Sequence, residues 1–527
     1  MTNPASSYEN WTREELIARL TQLDSPRVTR DSDSKAPAIG SSKRVVEKSF
    51  DFAGHPKRKI ALKFCYSGWE YNGLAHQLGP TPLPTVEGTL FEALAQARLV
   101  DPEGGFDGCG FERCGRTDRG VSAAGQVVSL WVRSALKAPE TDSSSTVGPS
   151  KDAVNAPDAS DEPSTFDDDL FGSLEDLTDT ANTSISAHPT KVPSELRYVP
   201  ILNRLLPPTI RILAWSPVDP SFSSRFACQF RHYKYFFAGA GLDIERVRSG
   251  AQRLLGEHDF RNLCKLDPAK QITNFRRKIL RADVSRVEGV GTFEGRGGGE
   301  MYVFDLVGTA FLYHQVRHIM AILFLVGSGL EEPAVVSALL NVAPGLEEPR
   351  GDDGTAALPV VESKPEYQMA DGLPLMLWDC GYADTDVHWQ TDADPDPDAP
   401  PHAAEALTKS GFGSNLFHEL DAILARSRTH TILDAHFLAA AARHHSTPPQ
   451  PLPLSESGLS AAAVAERYGT LAYALGGGTV KRTAKYVQLL QRKRLDKVEV
   501  ANERWRVAKG TRKDERRKVE GEDGEDE

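Results

Sequence analysis

The stretch Ala138–Thr190 carries twelve acidic residues against one lysine, Lys151, and is rich in Ser, Thr and Pro. Such a segment holds too little apolar surface to offset the entropy of ordering its backbone. It is predicted to stay unfolded, so a core must be assembled from the blocks on either side, 57–137 and 191–383. The same stretch also distorts the charge balance. The chain has 61 Lys and Arg against 73 Asp and Glu, a net of −12. The acidic stretch holds −11 of this, and Glu520–Glu527 holds −6. The rest of the chain is therefore at +5, and its acidic average does not exclude a polyanionic partner.

No run of eighteen apolar residues occurs, and the longest apolar stretch, Ile319–Val326, has the length of a core helix. A membrane span is not expected. The polar start, Met1–Asn10, carries no secretory pattern. Six cysteines in 527 residues fit free thiols in a reducing compartment, nucleus and/or cytoplasm. Residues 1–56 are expected to be a mostly unfolded extension with one helical pattern at Thr12–Leu23. Residues 384–480 read as linker and variable region, with Asp384–Pro401 and His445–Ser457 the least foldable parts. Residues 481–527 read as a basic helical tail ending in an acidic run. Lys481–Lys518 holds fifteen Lys and Arg against five acids, which suits an RNA-binding or nuclear-targeting element or simply a solvated helix.

Within the two blocks the periodicity is mixed. Lys59–Cys65, Gln126–Val132 and Phe230–Phe237 have the pattern of strands. Thr85–Arg98 repeats its apolar residues at helical spacing, and Tyr313–Gly327 is a strongly apolar helix. Arg277–Val287 and Met301–Val307 form a hairpin pattern around a Gly-rich loop. Without regular strand–helix alternation, this favours an α+β fold, antiparallel sheets covered by helices.

The densest chemical signal is Cys114–Leu130, CGRTDRGVSAAGQVVSL. Asp118 lies between glycines that allow a tight turn and close substrate approach. Its neighbours Arg116 and Arg119 favour an ionised carboxylate, which can act as nucleophile or base. The ordinary alternative is a turn aspartate among solvated arginines. Cys109 and Cys114 lack a second cysteine pair at metal-ligand spacing. His314 and His318, four apart, lack the Glu of a zincin helix. The Gly295–Gly299 run lacks the Lys-Ser/Thr of a nucleotide loop. None of these three points to a metal or nucleotide.

Gly115–Ala123 resembles the signature loop of the TruA family of tRNA pseudouridine synthases. Other segments are similar to further family motifs in the same order. They are Tyr66–Gly73, Phe222–Phe226 with Arg231–Tyr235, Gly256–Phe260 (as a helix end), Phe311–Arg317, and Leu373–Leu375 through Asp379–Cys380. The branch most resembled modifies uridines 38 and 39 of the tRNA anticodon stem-loop. The resemblance implies two pseudouridine-synthase-type halves around a basic cleft, a homodimer, tRNA as partner, and no metal, cofactor or membrane. It implies that Asp118 is the catalytic carboxylate, that Tyr233 contacts the substrate and that Arg317 pairs with Asp118. Arg116 and Arg225 are expected to hold phosphates or support the site. For Tyr233, core packing beside Tyr235 is the ordinary alternative. Two other functions compete: a tRNA-binding or RNA-chaperone protein that has lost catalysis, and a carboxylate hydrolase, for which no second acid stands out.

Overall fold

The computed structural model describes residues 50–77, 79–136, 195–288, 300–347, 357–391, 415–445 and 469–509. The helical pattern at 12–23, the acidic stretch at 138–190, the 295–299 glycines and the terminal acidic run lie outside these residues.

The elements follow the chain as β1 (Lys57–Tyr66), α1 (Val86–Gln96), β2 (Glu112–Arg113), β3 (Ser122–Arg133), α2 (Tyr198–Leu205), β4 (Ile210–Pro217), β5 (Phe230–Ala238) and α3 (Ile244–Gln252). Next come β6 (Gly256–Asp259), β7 (Arg276–Arg286), β8 (Met301–Gly308), α4 (Gln315–Gly327), α5 (Ala334–Leu340), β9 (Leu375–Gly381), α6 (Asn415–Ala442), β10 (Leu471–Gly476) and β11 (Thr479–Thr483). Nine strands form one sheet in the order β4-β1-β3-β9-β5-β8-β7-β6, with β2 on β3. Every pairing in it is antiparallel except β3 with β9, where Ser122 and Ala123 meet Met376 and Leu377. That short parallel seam joins two antiparallel halves. The fold is α+β, as the mixed periodicity implied.

Each half has its own core. In the first, Ile60, Leu62 and Phe64 of β1 pack with Leu90 and Leu94 of α1 and Tyr198 and Leu202 of α2. Helix α1 starts where the Thr85 side chain accepts from Gly88 N at 3.2 Å, satisfying one of the free N–H groups of the first turn. In the second, Tyr235 and Phe237 of β5 and Phe304 and Leu306 of β8 pack against α4. Helix α4 is buried on nearly every side, so its uniformly apolar sequence marks it as a central core helix. Phe324 lies edge-on to both Tyr235 and Phe237, at 6.0 and 5.8 Å between ring centroids. Phe324→Ala should lower the unfolding free energy by about 3–5 kcal/mol, read from the shift of the urea midpoint.

Three readings change. Gly256–Phe260 is not a helix end: its residues 256–259 form β6, paired with β7. The segment beginning at Lys481 does not start as a helix. Residues 479–483 form β11 and pair with β10 around Gly476–Gly478, all at positive φ, a conformation glycine adopts without strain. Leu471, Tyr473, Leu475, Leu489 and Val498 complete the second core, and at this end of the described chain only a 3-10 turn at Leu489–Gln491 and residues 498–509 are helical. Part of the region read as linker is the 28-residue α6, tied to β4 by Arg211 and Glu419 at 2.6 Å. No helix among the described residues is long and apolar enough to cross a membrane.

Candidate active site

The Asp118 loop links β2 to β3 and is held from several sides. Cys114 N donates to Val127 O at 2.8 Å, and Gln126 Nε2 donates to Gly115 O at 2.9 Å. Tyr66 Oη and Thr117 Oγ1 lie 2.6 Å apart at the end of β1. Leu74 N donates to Thr117 O at 3.3 Å. Gly73, at φ +90, has room for no side chain without crowding Thr117 O and Arg119 N. Positions 115 and 120 instead face open space. The loop is thus fixed by its flanks and open at its tip, which suits a site that must admit a substrate.

Asp118 is one-quarter exposed, and two groups from the Phe311–Arg317 segment meet its Oδ2. His314 Nε2 is 3.1 Å away and Arg317 Nη1 3.5 Å away. Both are largely buried, at 7 % and 14 % exposed. Residues three apart lie on one helix face, so the start of α4 delivers them together. Arg317 is held further by Nε donating to Ala370 O at 2.8 Å. His314 stands at the N-cap in the left-handed region, φ 59°. Its ring lies 3.8 Å from that of Tyr313, and its Nδ1 is buried without a hydrogen-bond partner among the described residues. Lys265 and Lys270 lie over the exposed face of Tyr313, at 5.4 and 4.8 Å.

Tyr233 is half-buried on β5 and touches both cores. It is in register with Leu377 of β9, which is in register with Ala123 of β3. Two strand spacings, about 10 Å, therefore separate it from the strand that begins just after the Asp118 loop. Its ring is edge-on to Phe311 at 5.0 Å. Burial pushes its phenol well above the ordinary tyrosine range, so the hydroxyl keeps its proton. Core packing and proximity to the loop thus coincide at this residue.

The flanking arginines are placed differently. Arg116 and Arg119 are exposed, and the guanidinium at Asp118 belongs to Arg317. Arg225 is exposed, with its guanidinium over the Phe226 ring at 5.4 Å. The brace in this motif is Arg231. It donates to the carbonyls of Cys114, Arg225, Cys228 and Thr309 at 2.8–3.2 Å, tying the Asp118 loop to β5 and to the end of β8. Sequence reasoning missed Arg231, and it weighed His314 only as half of a His pair that lacks the Glu of a zincin helix.

The two histidines of α4 have separate environments. His318 is buried, with Nε2 3.0 Å from Lys364 Nζ. Burial, together with the Lys364 charge, lowers its pKa from 6.5 to about 2. An imidazole that gains its proton only on unfolding makes stability fall as pH drops through 6.5, because the unfolded chain then binds the extra proton. This group should contribute a slope of up to about 1.4 kcal/mol per pH unit below 6.5. His318→Gln should remove that slope in urea melts at pH 5–7.

A family model for tRNA pseudouridine synthase matches residues 251–383. The chain is 38 % identical over 430 residues to the tRNA pseudouridine(38/39) synthase of Saccharomyces cerevisiae, covering 79 % of each chain. It is 39 % identical over 387 residues to the protein of the same name from Homo sapiens, covering 71 % of this chain and 67 % of that one. To tRNA pseudouridine synthase A of Methanosarcina mazei it is 28 % identical over 284 residues, 54 % of this chain and 76 % of that one. With these relatives and the motif order read above, the chain belongs to the TruA family of tRNA pseudouridine synthases, enzymes that isomerise uridine within tRNA.

Proposed function

We propose that this enzyme converts uridines 38 and 39 of the tRNA anticodon stem-loop to pseudouridine, with Asp118 as the catalytic carboxylate. The supporting observation is the Asp118 side chain held between His314 and Arg317 in a loop open at its tip. The reaction breaks the bond from ribose C1′ to uracil N1, turns the base, and joins C1′ to C5. C5 loses a proton and N1 gains one, so nothing is oxidised and no group leaves. One carboxylate shielded from bulk water suffices, whether it attacks the ribose, attacks the base or removes a ribose proton.

A stacked uridine must be flipped out to reach such a group. Tyr233 is the aromatic assigned to receive it, and stacking of this kind is worth about 1–3 kcal/mol. Tyr313, with Lys265 and Lys270 over its ring, combines an aromatic face with positive charge, as a single-stranded loop requires. Exposed Arg116 and Arg225 are assigned to phosphates. Tyr233→Phe should keep base stacking and retain most turnover, whereas Tyr233→Ala should reduce kcat/KM by about 10–100-fold, measured by tritium release from C5 of labelled tRNA. Equal losses in the two variants would assign the effect to the hydroxyl.

The test of the function is position-resolved pseudouridine mapping on tRNA incubated with the purified protein. Conversion at 38 and 39 supports the reading. Binding without conversion would indicate a protein that has lost catalysis. A homodimer is proposed with this reading, from the family resemblance. Nucleus or cytoplasm is the proposed location, where tRNA is found and free thiols persist; all six cysteines are free.

A further inference from the structure

Cys114, Cys228 and Cys380 are far apart in sequence, and none forms a recognisable metal-binding pair with a neighbour. The fold brings them together behind the Asp118 loop. Cys114 precedes that loop, Cys228 leads into β5, and Cys380 lies on β9. All three are buried, and their sulfurs lie within 4.8 Å of one another. Cys109, the partner that spacing alone offered to Cys114, is elsewhere, donating to Phe106 O at 3.4 Å. Among the described residues this is the one group of His, Cys, Asp and Glu side chains close enough together to hold a metal ion.

We propose that Cys114, Cys228 and Cys380 form a structural site for a thiophilic divalent cation of the zinc class, pinning the Asp118 loop to the two central strands β5 and β9. Three points no more than 4.8 Å apart share a centre no more than about 2.8 Å from each. Small side-chain movements then reach the zinc–sulfur distance of about 2.3 Å.

Charge supports the assignment. The Arg231 guanidinium stands beside the cluster, donating to the carbonyls of Cys114 and Cys228 at 3.2 Å. Three thiolates, this guanidinium and a divalent cation sum to zero once the three thiol protons leave, which avoids the cost of burying an unbalanced ion. An ion held by the folded chain and not by the unfolded one adds to folding stability.

The experiment uses the full-length chain, exposed to excess zinc and then dialysed, with metal read by mass spectrometry. About one zinc per chain is expected, falling at least fivefold in Cys228→Ser and in Cys380→Ser and unchanged in Cys65→Ser. Because the serine variants could misfold, the wild-type chain is also melted after chelation and after zinc is restored. Restored zinc should raise the melting temperature, and cobalt added to the chelated chain should give thiolate-to-cobalt absorption. Less than half an equivalent of zinc in the folded wild-type chain would overturn the site. So would metal retained in both serine variants, a melt insensitive to zinc, or a disulfide between two of these cysteines in place of metal. These readouts do not involve tRNA, so they stand apart from the proposal for Asp118.

Discussion

Asp118→Asn is expected to reduce pseudouridine formation by more than about a thousandfold while tRNA affinity stays within a few-fold of wild type. The amide has nearly the shape of the carboxylate, so the loop held by Thr117, Gln126 and Leu74 should keep its form. What is lost is the negative charge facing His314 and Arg317, and with it the ability to act as nucleophile or base. Asp118→Ala should lose activity to the same extent. Single-turnover tritium release, with filter binding on the same tRNA, separates chemistry from affinity. Turnover retained in either variant would remove Asp118 from the catalytic role.

Arg317→Lys should lower kcat by about 10²–10³-fold, with a much smaller change in KM. Arg317 makes two contacts at once, Nη1 to Asp118 and Nε to Ala370 O. A lysine carries the charge but has a single nitrogen head and no planar fork, so it cannot reproduce both. The expected defect is therefore in aiming the Asp118 carboxylate. Arg317→Ala should be worse, because it also removes the charge opposite a largely buried carboxylate. Urea melts on both variants show whether the fold survives. A loss of kcat matched by an equal loss of stability would reassign Arg317 to a structural role.

Local pattern carried much of the fold. The alternation at 59–65, 126–132 and 230–237 found β1, β3 and β5, and the apolar run at 319–326 found α4. The spacing at 85–98 found α1, and the 277–307 hairpin became β7 and β8. Such signals are local, because a strand repeats every two residues and a helix every 3.6. Where pattern failed, the deciding contact was distant. Residues 256–259 became a strand because β7 was there to pair with them. The basic segment after 480 gave up its helical start because β10 and the second core offered backbone partners and apolar contacts.

The site divides along the same line. Family motifs in the sequence picked out Asp118, Tyr233 and Arg317 as candidates, because each motif is a short run of residues legible along the chain, and the fold sets Arg317 against Asp118. The sequence alone also determined that the fold would be α+β, while tertiary contacts decided that residues 471–498 complete its second core. It could not show that His314 would share the Asp118 carboxylate with Arg317, since that depends on a left-handed residue at the start of α4. Nor could it show Arg231 bracing four separate carbonyls or three distant cysteines meeting behind the loop. Those arrangements arise only when β9 inserts beside β3 and β5. Chain order records which residues are neighbours along the backbone, and strand pairing across the sheet decides which are neighbours in space.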